Sequence, residues 1–361
     1  MATLKIGTEL DDLSTSVGLD PRRFNRHTFW CGQSGSGKTY ALGVVLEQLL
    51  LHTELPLLIL DPNADFVRIQ ETRSTADAES AARIAGLDAR VFRSGPGKDD
   101  PLHVRYVDLS PAAKAAVLQI DPIRDAEEYN ALIHSEADTQ GFDAVELVRA
   151  FRASGDPVRI RLANRMENLQ VLDWDLWSRG GSSVVDDIDE RPRATVLDLG
   201  GFDHPVEPKV AALAVLEHLW ARRAERRPIL IVIDEAHNLC SPEPVTEVER
   251  ALTQQLIQIA AEGRKFGLWL FLSTQRPTKI HQNVLSQCDN LGLMRVNAPR
   301  DLAELAEVFG FAPEEAIRRA KDFRQGQSLF AGGFISEPTF VQMGERLTEE
   351  AGGDVKVPLR Q

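Results

Sequence analysis

Cysteine, lysine and long apolar runs are scarce in this 361-residue chain. Three cysteines, Cys31, Cys240 and Cys288, are too few and too scattered for a disulfide framework or a cysteine-rich metal centre, which fits a reducing compartment. Each is expected to be a small buried apolar residue. No apolar run reaches the ~18 residues needed to span a bilayer, and Met1–Asp12 has no basic stretch followed by an apolar one. A membrane role is excluded on this reading, and the cytoplasm is the expected location. Basic charge is also short. The 41 Lys and Arg are outnumbered by 54 Asp and Glu, for a net charge of −13. A generally basic, DNA-coating surface is therefore excluded, and any nucleic-acid contact must be local.

What is present is ordinary globular composition, with 43% hydrophobic and 26% charged residues and no repeat or low-complexity tract. At ~150 residues per domain the length suits two domains or one enlarged α/β domain. Short apolar runs recur, each followed by a polar turn and a helical pattern, which is the rhythm of a parallel sheet flanked by helices. Strands are predicted at Thr28–Cys31, Leu57–Leu60, Ala89–Phe92, Thr195–Leu199, Ile229–Ile233, Leu268–Ser273 and Leu291–Val296. Apolar spacing at i, i+3, i+4 predicts helices at Lys38–Leu51, Val206–Arg223, Glu247–Glu262 and Pro299–Phe309. Between about 110 and 180 strand signals vanish. Pro111–Ile120, Ala126–His134, Asp143–Arg152 and Arg159–Leu172 read there as a helical insertion. The expected organisation is an extension over 1–26, a core over 27–347 ending in a hairpin at Gly326–Gln342, and a frayed tail over 348–361.

Gly32-Gln33-Ser34-Gly35-Ser36-Gly37-Lys38-Thr39 fits the G-x-x-x-x-G-K-[ST] phosphate loop and lies between a predicted strand and a predicted helix. Its glycines let the backbone turn with N–H groups facing inward, so that amides from Gly32 to Tyr40 and the helix N-terminus surround the phosphates of ATP. Lys38 is expected on the β and γ oxygens, and Thr39 on Mg²⁺. Asp234-Glu235 follows the run Pro228–Ile233, at the strand end where open α/β sheets place ligands. Asp234 would hold the metal through water, and Glu235 would polarise the attacking water, making this a hydrolase. The amides around Ser36 and Glu235 are expected at adjoining strand tips. Gln275, after Leu268–Ser273, is either a turn residue or a sensor of the γ-phosphate. Arg264 either pairs with helix C-terminal carbonyls or reaches a neighbouring subunit's nucleotide. Arg222, Arg223, Arg226 and Arg227 read as a solvated helix end or as groups facing a pore.

In their order, these segments resemble the HerA/FtsK superfamily of ring-forming P-loop ATPases, and its HerA-like branch in particular. Asp61-Pro62-Asn63-Ala64-Asp65-Phe66 is similar to the family's D-P-H-G-E-Y, and Val196-Leu197-Asp198-Leu199-Gly200-Gly201-Phe202 to its I-D-L-S-G-L. Ile231–His237, Glu262–Gly267, Ser273–Pro277 and Val284–Cys288 complete the series. The resemblance runs from about residue 27 to 345. It implies an α/β, RecA-like core with a mainly parallel sheet, a homo-oligomeric ring that is hexameric in the family, nucleotide between subunits and double-stranded DNA in the pore. It also implies Glu235 as catalytic base, Gln275 as sensor and Arg264 as a trans-acting finger, with Arg276 and Arg295 as lesser candidates. With about 26 residues before the first strand, the family's leading β-barrel is not expected, which leaves docking of a partner nuclease open. Two other readings stand beside this one. Asp234-Glu235-Ala236-His237 also spells a DEAH box, but only 124 residues follow it, too few for a second RecA-like domain. A nucleotide-gated scaffold that organises an effector, such as a nuclease, without moving DNA is the alternative from a different class.

Overall fold

A computed structural model describes residues 3–95, 97–134 and 144–351. Its strands are β1 Leu4–Glu9, β2 Ser16–Leu19, β3 His27–Cys31, β4 Leu57–Asp61, β5 Ala89–Arg93 and β6 Ala194–Asp198. They continue as β7 Ile229–Ile233, β8 Leu268–Thr274, β9 Cys288–Leu293, β10 Gln327–Gly332 and β11 Thr339–Met343. All eleven form one sheet in the order β2-β1-β11-β10-β9-β3-β8-β7-β4-β6-β5. The part from β9 to β5 is parallel, and β10, β11, β1 and β2 extend it antiparallel.

The parallel strands are apolar at successive positions because both faces are covered. Phe29 and Cys31 of β3 point into one apolar cluster and Trp30 into the other, and β4 divides Leu58 and Leu60 from Leu57 and Ile59 in the same way. Helix α1, Lys38–His52, covers the Trp30 face. After α2, Ala78–Ala85, come the helices of the 111–168 segment: α3 Pro111–Val117, α4 Ala126–His134, α5 Ala144–Ala153 and α6 Pro157–Asn168. With α7 Val184–Glu190, α8 Glu207–Ala221 and α9 Glu247–Glu262 they cover the Phe29 face. The short α10 Gln282–Leu285, α11 Pro299–Val308 and α12 Glu314–Arg318 complete the list. The predicted helix from Asp143 begins one residue outside the described region. No helix of the described residues is long and apolar enough to cross a membrane.

Four expectations are corrected. β1 and β2 lie within residues read as an extension, where a glycine and polar residues obscure the alternation; β1 pairs with β11 at Gly7 opposite Met343. β9 begins three residues before the predicted Leu291, because Asn290 is satisfied inside the protein. Its side-chain amide donates to Thr28 Oγ1 at 3.2 Å and to the Arg23 carbonyl at 3.1 Å. Residues 294–297 then leave the strand and brace the phosphate loop. The segment from Thr348 is not frayed at its start, since Thr348 is buried and its amide donates to Glu47 Oε1 at 2.8 Å. Finally, β3 and β7 are not neighbours: β8 stands between them.

Candidate active site

The loop after β3 needs its glycines. A Cβ on Gly32 would lie 2.7 Å from Ser36 Oγ and 2.8 Å from Met294 Cβ, and Gly35 and Gly37 take left-handed φ values of +73° and +86°. Neighbouring segments fix the loop from both sides. The Gln33 amide donates to the Arg295 carbonyl at 2.8 Å, and the Gly326 amide to the Ser36 carbonyl at 3.0 Å. The first backbone bond of α1 runs from the Ala41 amide to the Gly37 carbonyl at 2.9 Å. The preceding amides of Lys38, Thr39 and Tyr40 are therefore unused by the helix and available to an anion.

Lys38 is buried, and its Nζ donates to Asp234 Oδ1 at 2.8 Å and to Ser273 Oγ at 2.9 Å, and lies 3.2 Å from Glu235 Oε1. Ser273 Oγ in turn donates to Asp234 Oδ1 at 2.6 Å. Burial works against the Lys38 charge, but the two carboxylates outweigh it and raise its pKa. Glu235 stands in the left-handed backbone region at φ 44°, a cost of ~1–3 kcal/mol for a residue of this kind. Its carboxylate accepts from Gln275 Nε2 at 2.7 Å and from the Gln275 amide at 3.3 Å, and lies 3.2 Å from His237 Nδ1. Burial would raise its pKa, yet the His237 bond, the Lys38 charge and the Gln275 bond together bring it down to about 2.

The D-P-N-A-D-F loop contributes a further acid. Asp61 closes that loop by accepting the amides of Asp65 at 3.1 Å and Phe66 at 2.8 Å, and burial still lifts its pKa to about 6. Asp65 lines the site, and burial together with the charges of Asp61 and Asp234 lifts it to about 7. The cavity holds about 770 Å³ and is lined by the phosphate loop, Asp65, Glu235 and Gln275 together with Gln325, Gln342, Glu345 and Glu350.

Asp234 Oδ2 is buried with no hydrogen-bond partner among the described residues, and Thr39, the second residue of α1, lines the nucleotide cavity. No cluster of three or more His, Cys, Asp or Glu suited to a metal exists among the described residues. That donor set fits Mg²⁺, which takes one or two protein oxygens and fills its octahedron with phosphate and water.

Lys38, Thr39, Asp234, Glu235 and Gln275 are thus brought together at the C-terminal tips of β3, β7 and β8. Arg264 is not among them. It lies in the 3-10 turn Gly263–Phe266 before β8, a strand length from Gln275, and pairs with Asp289. Arg295 packs on the loop itself, donating to the Gly35 carbonyl at 3.3 Å. Sequence reasoning passed over Ser273, His237 and Asp65 as site residues. Only their places near strand ends, two residues from Gln275 and Glu235 and four from Asp61, signalled them.

A family model described as "Helicase HerA, central domain" matches residues 4–218, more than half of the chain. The chain belongs to the HerA helicase family. The DNA double-strand break repair helicase HerA of Sulfurisphaera tokodaii is 28% identical over 98% of this chain and 71% of its own length. The protein of the same name from Pyrococcus furiosus is 27% identical, with 97% of this chain and 72% of that protein covered. A match to a probable HerA of Methanocaldococcus jannaschii, 29% identical, takes in 36% of this chain and 25% of that protein. Among solved structures, VirB4 of Thermoanaerobacter pseudethanolicus superposes with a TM-score of 0.66 at 16% identity, covering 95% of this chain and 96% of that one. Plasmid coupling protein TrwB, in complex with the GTP analogue GDPNP, gives 0.59 at 10% identity, with 96% and 91% covered. The HerA-family chain therefore has the expected α/β architecture with a mostly parallel sheet, and it is an ATPase of the P-loop type.

Proposed function

We propose that this HerA-family protein hydrolyses ATP with Mg²⁺ at the Lys38–Asp234–Glu235–Gln275 cluster, and that a homo-oligomeric ring of it, six-membered by family resemblance, moves along double-stranded DNA. The observation that carries the reading is the convergence of a phosphate-loop lysine, two buried acids and a sensor amide on three strand tips. The relatives named as DNA repair helicases support the DNA half of it.

The resting contacts indicate how the residues act. Lys38 is tied to Asp234 and Glu235; drawn off by β and γ oxygens, it would release both acids. Glu235 then loses a cation that holds its proton affinity down, and so becomes a better base when substrate is bound. It takes a proton from water as the water oxygen bonds to the γ-phosphorus and the bridging bond to ADP breaks. Mg²⁺, held by Thr39 and Asp234, would supply charge stabilisation on the phosphate oxygens. Gln275, bonded to Glu235 through both its amide groups, would carry the change at the γ-position into β8.

Arg264 cannot reach its own chain's pocket from the far end of β8, so its proposed role is on the next subunit's nucleotide. The experiment is ATP turnover with and without duplex DNA, read beside native mass. DNA-stimulated turnover by a ring is expected, and Glu235→Gln should bind ATP with turnover down ~10²-fold or more. Turnover indifferent to DNA of every length would favour the scaffold reading, with a nuclease or other effector as partner.

A further inference from the structure

Four arginines outside the site gather at the opposite pole of the sheet. A groove of about 650 Å³ lies at the N-terminal ends of β4, β7 and β8. Four arginines line it, Arg22, Arg191, Arg226 and Arg227, against a single acid, Glu54, in a chain whose net charge is −13. Arg22 is held by Asp20, and Glu54 faces Arg193. Arg191 is different: its Nε and Nη1 are buried with no hydrogen-bond partner among the described residues, and so is Nε1 of Trp269, which lines the same groove. Arg227 is the strongest charge acting on Arg191, and it opposes it; Asp189 and Glu225 offset this only in part, and Arg222 adds to the repulsion. Unpaired donors on a desolvated guanidinium are costly, and they are satisfied by an anion with several acceptor oxygens.

From this placement we infer that the groove is a second anion site, in which Arg191 and Arg227 contact phosphates of a DNA backbone. The inference rests on the DNA-translocase reading and gives it a contact surface. Arginine in place of lysine at every cationic position of the groove suits bidentate phosphate recognition. The other pole carries the nucleotide cavity, where Asp65, Glu235, Glu345 and Glu350 stand beside Lys38 and the phosphate loop. Two strands join the poles. β7 leads from Arg227-Pro228 just before it to Asp234-Glu235 just after it, and β8 carries Trp269 near its start and leads into Gln275. A grip on DNA at one end is therefore linked by two short strands, buried except at Trp269, to hydrolysis at the other.

The test uses the full chain and a short fluorescently labelled duplex, with affinity measured over a range of salt concentrations. Arg191→Gln/Arg227→Gln should weaken binding and reduce the slope of log affinity against log salt by about two, while DNA-free ATP turnover and native mass stay as in the parent. The double Lys variant should keep more of the affinity, because it retains charge without the fork. Should the double Gln variant fail to fold, Arg226→Gln/Arg227→Gln carries the same expectation from more exposed positions. Unchanged affinity and slope overturn the groove and leave translocation standing. Lost affinity that tracks a fall in native mass overturns it too, by making the groove a contact between subunits. A parent protein that binds no duplex at all removes the DNA reading and the groove together.

Discussion

Lys38 is the cation on which the resting site depends, because two carboxylates at 2.8 and 3.2 Å share it. Lys38→Ala should abolish nucleotide binding, measured by calorimetric titration. It should also change the acid limb of stability. With its pKa lowered to about 2 in the fold, Glu235 contributes stability that is present above its ordinary value of 4.5 and is lost as pH falls towards 2. Removing Lys38 should shrink that contribution, seen as a smaller gain in Tm between pH 3 and pH 6. Asp65 has the opposite sign. Its pKa is raised from 3.8 to about 7, so its contribution is present below 3.8 and is lost as pH rises through 7. Asp65→Asn should therefore raise Tm at pH 8 and have little effect near pH 4, as followed by thermal melts across pH.

At the scale of elements, the segment after β11 acts as a clasp on α1. Arg346 is fully buried against a notch at Gly43, where a Cβ would lie 2.5 Å from its Nε. Its guanidinium sits 3.6 Å from Glu47 and 5.2 Å from the Phe66 ring centre, so one side chain ties α1, the Asp61–Phe66 loop and the chain's last described residues. Gly43→Ala should destabilise the protein by ~1–3 kcal/mol, as a methyl forced into a filled site does. Arg346→Ala should cost ~3–5 kcal/mol by leaving the buried Glu47 carboxylate with its Leu347 and Thr348 hydrogen bonds but no cation. Urea melts of both variants, with Glu47→Gln/Arg346→Ala losing less than Arg346→Ala alone, check the clasp. None of this was legible in the sequence. Leu347-Thr348-Glu349 has no periodicity, and a buried arginine looks like any surface arginine until its partner three hundred residues away is known. The parallel strands were legible because burial on both faces imposes continuous apolar runs, as in Ile229–Ile233. β1 and β2 were not, because they bury only one apolar face and a bulge between Lys5 and Gly7 breaks the alternation.

For the whole molecule, the phosphate loop, Asp234, Glu235 and Gln275 were readable because strand-end chemistry is local in sequence. The order of those strands is not local. That β8 stands between β3 and β7 explains why Ser273 reaches both Lys38 and Asp234. Arg264 at the opposite end of β8 makes a prediction that only an assembly can meet. Arg264→Ala should be inactive alone, and activity should return on mixing it with Glu235→Gln subunits, assayed as turnover against mixing ratio. No recovery at any ratio would assign Arg264 to its Asp289 pair and nothing more.

The hairpin at the front of the chain is stitched to the back of it: the Gly344 amide donates to the Ile6 carbonyl at 2.8 Å, and Met343 and Gly344 form part of the nucleotide cavity wall. Any load hung ahead of Leu4, whether a fused domain or a tethered bead, would tug directly on the lip of the chamber where ATP is turned over.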